Sequence, residues 1–404
     1  MGPAEESPRR TVGARVKRYR SRSGRPQAAV AGLCGITERY LSLIENGKRM
    51  PSPDVLARLA AELGVPIAAL LSDEVPAASS VSLATAPDIA SALMGYGTPG
   101  NSVSPTPTDL RERVEQAWRI WQSSATRYTD IEPTLGALIV DIEHAVRTHR
   151  AGGDIDARRE VLRAAADLYG LLRSYCRRTG RLDLSLMAAD RARRAAEDAD
   201  DPIRLAAAQW NFGHCLLSRQ GGAEEAAEVA RAGVEQLREA PACPERTAMT
   251  GALELVRVVA DAQRGRWWEA RERVHETAPL GGTVGEANVQ WTVFGPTNVH
   301  LHALSIEMLA GQTTDGLRLA DEVDVSVLPS RERQFTFTLE LARCYDLRRD
   351  DAAVLVHLLD LERLSYEDMV RSSLATEMVT CLLGRVRPTY RRQVADLAER
   401  MGLG

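Results

Sequence analysis

Residues 26–65 read PQAAVAGLCGITERYLSLIENGKRMPSPDVLARLAAELGV (Pro26–Val65), and the turn and cap residues within them decide the fold of the N-terminal part. Pro26 stands at or before the first turn of a short helix, Gln27 to Leu33. Gly35 supplies a sharp helix–helix corner, which favours a left-handed residue. Thr37 can cap a third helix that runs to about Asn46 and buries Leu41 and Ile44. Gly47 ends it. Ser52-Pro53-Asp54 opens a fourth helix with a cap and a proline at the first helical position, and Gly64 closes it. Upstream, Val12, Val16 and Tyr19 make an apolar stripe for a first helix. Downstream, Ile67–Leu71 makes a fifth.

The charge of this region differs from that of the rest. The chain of 404 residues carries −4 overall, whereas residues 9–71 hold twelve Arg or Lys against four acids. A head of +8 on a body of −12 implies that only the head meets a polyanion. Elsewhere the bulk properties exclude rather than assign. No apolar run reaches the ~18 residues that span a bilayer, and no apolar stretch follows the charged first residues as a secretory signal would. A cytoplasmic protein without membrane contact is expected. The six cysteines (Cys34, Cys176, Cys215, Cys243, Cys344, Cys381) are scattered, without a CxxC pair, and read as small core residues.

Residues 72–108 mark a boundary. Pro, Gly, Ser and Thr supply 19 of these 37 positions and there is no Arg or Lys, so a flexible linker is expected, with a helical turn around Ile89–Met94. Gly95, Gly97 and Gly100 spell GxGxxG there. Pro99 sits inside the match and no strand precedes it, so it reads as chance. Residues 109–404 are rich in Ala, Leu, Arg and Glu and read as helical to the end. A loose repeat runs through them. Gly180, Gly221, Gly265 and Gly311 are each followed by small or apolar residues at +5, +9 and +12, and Arg349 takes the turn position of a fifth copy. The turns are 41, 44, 46 and 38 residues apart. Each copy reads as a helical hairpin that cannot bury its apolar face alone, so several must stack.

The stretch from Ala14-Arg-Val-Lys-Arg-Tyr-Arg20 through Val65 resembles the helix-turn-helix of the Cro/phage-repressor (XRE) family. The resemblance implies a five-helix, lambda-repressor-like bundle over residues 9–71 whose third helix enters the major groove of double-stranded DNA. By that resemblance Gln27 touches phosphate and braces the third helix. Thr37, Glu38 and Arg39 face base edges, with Ser42 and Leu43 one turn on. Asn46, Lys48 and Arg49 contact phosphate. The chemistry agrees, since Arg donates twice to guanine and Glu accepts from cytosine. Arg20 and Glu45 match an internal ion pair of phage repressors. Pro26 stands where the family more often has a Ser or Thr cap.

The repeats resemble tetratricopeptide repeats, with a longer period. The whole, an all-α chain with an XRE head and a C-terminal α-solenoid, is similar to bacterial regulators whose repeat domain senses a peptide or small molecule, some of them pheromone receptors. That order implies a transcription regulator, a homodimer reading an inverted-repeat operator. The seven histidines form no catalytic set, and HExxH, Walker and GxSxG motifs are absent, so no enzyme, cofactor or metal is expected. For the body two readings stand: an effector-gated switch, or a ligand-independent scaffold for dimerisation or a partner protein. Under the first, polar stripes on first-of-pair helices are the candidate effector residues: Asn211 and His214; Asn298 and His302; Thr336, Glu340 and Arg343. Trp210 and Trp291 would supply apolar walls.

Overall fold

The computed structural model describes residues 12–22, 25–63, 70, 87–95, 105–150 and 153–403, and among these the chain is all-α. Twenty α-helices are described, in two compact units, Met1–Val81 and Ser82–Gly404.

In the first unit, α1 (Val12–Arg22), α2 (Gln27–Leu33), α3 (Glu38–Glu45) and α4 (Pro53–Glu62) enclose one core. Val16, Val30, Leu41, Ile44 and Leu59 are fully buried in it. Thr37 Oγ1 accepts from the Tyr40 amide at 3.2 Å and Ser52 caps α4, as the sequence requires. Gly35 and Gly47 hold the left-handed turns on either side of α3. Gly13 is needed for close approach instead. A Cβ there would lie 1.8 Å from the Ile44 carbonyl oxygen, so α1 and α3 meet backbone to backbone. Of the fifth helix expected at Ile67–Leu71, only Leu70 is described, fully buried; the rest lies outside the described residues.

The second unit begins inside the segment expected to be a linker. Residues 87–93 form α5 (Pro87–Leu93), with Ile89 and Leu93 fully buried against the helices that follow. An Ile, two Ala and a Leu on one face give this short stretch apolar surface to bury, which composition alone conceals. Residues 72–86 and 96–104 lie outside the described residues.

Next come α6 (Pro107–Ser123) and α7 (Arg127–Arg150), then five hairpins. The hairpins are α8 (Ile155–Arg178) with α9 (Leu182–Asp198), α10 (Pro202–Leu217) with α11 (Ala223–Glu239), and α12 (Pro244–Gln263) with α13 (Trp267–Val284). After these stand α14 (Pro296–Leu309) with α15 (Thr313–Asp321) and α16 (Arg331–Leu347) with α17 (Asp351–Leu364). Consecutive helices pack against one another throughout. The turn positions read from the repeat are the hairpin turns: Gly180, Gly221, Gly265 and Gly311 have φ of +73 to +76°, and Arg349 has φ +61°. The +5 residues Ser185, Ala226, Ala270 and Val354 are all fully buried, because a small or well-fitted side chain there lets the second helix close on the first. Short helices α18 (Tyr366–Arg371), α19 (Ser373–Arg385) and α20 (Pro388–Arg400) complete the chain.

The stack curls until its start meets its fifth hairpin. Arg331 Nε donates to the Ser123 carbonyl (3.0 Å), and Ser365 Oγ donates to the Ala125 carbonyl (2.9 Å). Glu367 accepts from the Tyr128 amide (2.9 Å), and buried Arg127 is paired with Asp368 and with Glu332 (3.1 Å). No helix among the described residues is long and apolar enough to cross a membrane.

Candidate DNA-binding edge and concave cavity

The exposed edge of α3 is fixed from behind by one carboxylate. Glu45, buried at 4% exposure, accepts from Arg20 Nε at 2.6 Å and from the Arg20 terminal nitrogen at 3.0 Å. It also accepts from Gln27 Nε2 at 2.7 Å. Three helices, α1, α2 and α3, are thereby tied at one point. The Arg20 guanidinium is held above its ordinary pKa by the hydrogen bond to Glu45, with burial opposing. Gln27, expected to brace the third helix, does so through this bond. Pro26 caps α2 without a side-chain hydrogen bond, setting the chain by its fixed φ of −68°.

In front of this brace Thr37, Glu38 and Arg39 are exposed at the first turn of α3, Ser42 is half-buried one turn on, and Asn46, Lys48 and Arg49 are exposed beyond it. Asn46 Nδ2 donates to the Ser42 carbonyl at 2.8 Å, so its side chain closes its own helix. Arg39, Lys48 and Arg49 make no hydrogen bond or ion pair through their side chains with any described residue. The sequence count of basic residues overstates the charge available here. Arg15 is buried and donates to the Leu70 carbonyl at 2.9 Å, Arg20 is neutralised by Glu45, and Arg25 pairs with Glu62. Among the described residues, exposed Lys17, Arg39, Lys48 and Arg49 remain for a polyanion, with exposed Arg58 on α4 and Arg18 over the Tyr19 ring.

In the second unit the curled stack encloses a cavity of about 260 Å³. Its wall brings together Trp118 and Gln122 of α6, Arg173 and Arg177 of α8, Trp210 and His214 of α10, Trp291 of the loop after α13, and Arg333 and Thr336 of α16. Of the residues read as effector candidates or their apolar walls, Trp210, His214, Trp291 and Thr336 line this space. Asn211 lies behind it, 4% exposed, its Oδ1 accepting from Arg173 Nε at 2.7 Å. Four candidates are placed differently. Asn298 and His302 are buried inside the repeat and joined to each other, His302 Nδ1 standing 2.8 Å from the Asn298 carbonyl. Glu340 and Arg343 pair with each other at 3.8 Å and do not line the cavity. Helical spacing put all three stripes on one face, but it could not say how far along each helix the concave opening reaches.

The cavity's character comes from residues that the stripes did not include. Arg173, Arg177, Arg178 and Arg333 surround one carboxylate, Glu332. Glu332 is committed to Arg178 and Arg127; burial would push its pKa up, but these guanidinia outweigh it and hold it well below the carboxylate range. Burial pushes Arg173 down to about 10, and burial with repulsion from Arg178 and Arg173 pushes Arg177 down to about 9. His214, pressed edge-on against Trp210 at 4.5 Å, is driven well below its usual pKa by burial and by Arg173. Two arginines one turn apart among apolar residues near the end of a first-of-pair helix, Arg173 and Arg177, were the available sequence signal.

The loop after α13 reaches the cavity under strain. Gln290, Trp291 and Val293 have φ of +48°, +62° and +55°, a region costly for residues with a Cβ and most of all for a β-branched one. Asn288 and Gln122 hold it. Asn288 Nδ2 donates to Gln122 Oε1 (2.6 Å), Gln122 Nε2 donates to the Trp291 carbonyl (3.0 Å), and the Val293 amide donates to Asn288 Oδ1 (3.2 Å). The result is a parallel stack of Trp291 on Trp118, ring centres 5.4 Å apart.

Comparison with known families and structures bears on the two units unequally. Residues 11–71 match a family model described as a helix-turn-helix domain. Comparison with curated proteins returned no match. Among solved structures, the chain is similar to a Rap protein complexed with competence and sporulation factor, at 13% identity over 96% of this chain and 99% of that one, TM-score 0.42. It is similar to apo ComR from S. thermophilus at 12% identity over 93% and 99%, TM-score 0.34. It is similar also to Bacillus thuringiensis PlcR in complex with the peptide PapR7 and DNA, at 10% identity over 88% and 99%, TM-score 0.29.

Proposed function

We propose that this chain, with its helix-turn-helix head on a stack of helical hairpins, is a sequence-specific DNA-binding transcription regulator. Its repeat domain would dimerise the protein on an inverted-repeat operator and sense a small-molecule or peptide effector. The observation that carries the DNA-binding part is the exposed edge of α3. Arg39 stands free at the first turn of a capped helix, and Lys48 and Arg49 stand free just past its end. Arg39 is suited to two donations to one guanine, while Lys48 and Arg49 suit phosphate and fix register. Gln27, bonded to Glu45 and still partly exposed, is positioned to do both. The effector part is supported by an aromatic-walled, half-open cavity in the body.

Genome-wide binding by the full chain, followed by affinity measurements on the recovered site, tests this. Arg39→Ala should lose ~1–3 kcal/mol of discrimination at one base position. Lys48→Ala and Arg49→Ala should weaken cognate and scrambled DNA alike and lower the salt slope by about one each. An Arg39→Ala protein with unchanged discrimination would remove α3 as the reading helix. A two-fold operator with half-sites one helical turn or a multiple apart, and a sedimenting dimer, are expected together.

A further inference from the structure

Three residues that line the concave cavity each carry a buried polar atom without a hydrogen-bond partner: Trp121 Nε1, Arg177 Nε and Arg178 Nε. Every one of these orphans is an N–H donor; none is an acceptor. Buried donors left unpaired are uncommon and costly, so a wall with only donors left over is made for something that brings acceptors.

The charge points the same way. Arg178 is matched by Glu332, but Arg177 and Arg333 have no ion pair or side-chain hydrogen bond with any described residue, and Arg173 has only neutral partners among them, a hydrogen bond to Asn211 and the Trp210 ring 5.3 Å from its guanidinium carbon. Three guanidinium groups without an ion pair thus share the longer-range attraction of one carboxylate, Glu332, around a space of about 260 Å³. Planar guanidinia in a small space suit the oxygens of a carboxylate or phosphate, which they bind by paired donation. Beside them the stacked Trp118 and Trp291 offer an apolar surface, held by a strained loop whose cost makes sense if its position serves a contact.

We propose that the cavity is a binding site for an organic anion, its carboxylate or phosphate oxygens held by Arg173, Arg177 and Arg333 and its apolar part laid against Trp118 and Trp291. This deepens the effector reading above and rests on it, by naming the chemistry of the effector.

Four of the six tryptophans line the cavity, so tryptophan emission of the full chain, without DNA, reports occupancy. The probes are phenylacetate, inorganic phosphate and, as the neutral counterpart, 2-phenylethanol, each titrated into the millimolar range. A saturable change with phenylacetate alone assigns a carboxylate ligand; saturation by phosphate as well assigns a phosphate-bearing one. Both outcomes support the site, provided that 2-phenylethanol gives none. In Arg177→Gln/Arg333→Gln, which keeps side-chain bulk and removes charge, binding should weaken about tenfold or more. The single Arg177→Gln variant should show a smaller loss in the same direction. No saturable response to either anion, an equal response to 2-phenylethanol, or unchanged affinity in the variants overturns the proposal. A gel shift with and without phenylacetate separates the two readings: anion binding that leaves DNA affinity unmoved keeps the site and removes the switch.

Discussion

The two units each place arginines around a glutamate, and they do so to opposite effect. In the head, Glu45 is answered by Arg20 and Gln27 with three hydrogen bonds, and the arginine that could read DNA, Arg39, is left in solvent. In the body, Glu332 is outnumbered: Arg178 and Arg127 engage it, and Arg173, Arg177 and Arg333 are left over inside a cavity. A satisfied buried charge makes a rigid brace. A surplus of buried charge of one sign is unfavourable to the fold by itself and becomes favourable when a counter-charge arrives. The first cluster therefore serves structure and, on the proposal above, the second serves binding; removing members of each tests the distinction.

The largest expected effect is in the head. Arg20→Ala leaves Glu45 buried with only Gln27, and should lower the stability of the head by up to the ~3–5 kcal/mol of a fully buried pair, less the share that the partial exposure of Arg20 screens. Lys17→Ala, an exposed change on the same helix, should stay within ~0.5 kcal/mol. Calorimetry of the full-length variants decides it, and equal melting of the two would remove the brace.

Next in size is a pH effect in the body. Burial, then the charge of Arg333, pushes His302 down to about 4, with the hydrogen bond to the Asn298 carbonyl opposing. The unfolded histidine titrates near ~6.5, so between that pH and about 4 the unfolded chain binds more protons than the folded one. Stability should accordingly fall as pH falls through that window, by ~2 kcal/mol at pH ~5 from this residue. His302→Gln should flatten the melting-temperature profile between pH ~7 and ~5; an unchanged slope would show that another group carries it.

Arg177→Met sharpens the contrast directly, because here removing a charge should help. Replacing a buried guanidinium that has no ion pair by an apolar side chain of similar length should raise stability by ~1–3 kcal/mol while weakening the response to phenylacetate, by less than the double glutamine variant does. A destabilised Arg177→Met would mean that Arg177 is already compensated within the fold.

The smallest effect concerns the turn of the fifth hairpin. Arg349 holds φ +61° where the other four repeats use glycine, and Arg349→Gly should gain ~0.5 kcal/mol, the relief of left-handed strain less the extra entropy of glycine. A loss of stability on denaturant melts would show that the Arg349 side chain contributes more than the turn costs.

How much was readable from the sequence follows the range of the interactions involved. Thr37, Gly35, Gly47 and Ser52-Pro53 act on residues within a turn or two, so the four described head helices lie where the sequence puts them. The hairpin turns are legible for the same reason, down to Arg349 in a glycine's place. The stripes Asn298–His302 and Glu340–Arg343 were read correctly as helical faces, but their contacts run within their own helices, His302 to the Asn298 backbone carbonyl and Arg343 to Glu340, and away from the cavity. Residues 87–93 mislead in another way: their surroundings are rich in Pro, Gly and Ser, and only the buried Ile89 and Leu93 show that they belong to the second unit's core.

Residue order is enough to specify an all-α chain, a capped helix-turn-helix with Arg39 at the first turn of its third helix, and five hairpins with their turns. These depend on local backbone preference and on periodicity, which a linear chain displays. Packing in three dimensions was needed to show that Arg15, Arg20 and Arg25 are spent inside the head. It was needed again to show that the stack curls until Arg127 meets Asp368, and that Arg173, Arg177 and Arg333 face one cavity beside Trp118 and Trp291. The cavity joins residues of α6, α8, α10, α16 and a loop, and their meeting depends on the small rotation accumulated over five hairpins. No single repeat encodes that rotation legibly; it is a sum over packed interfaces.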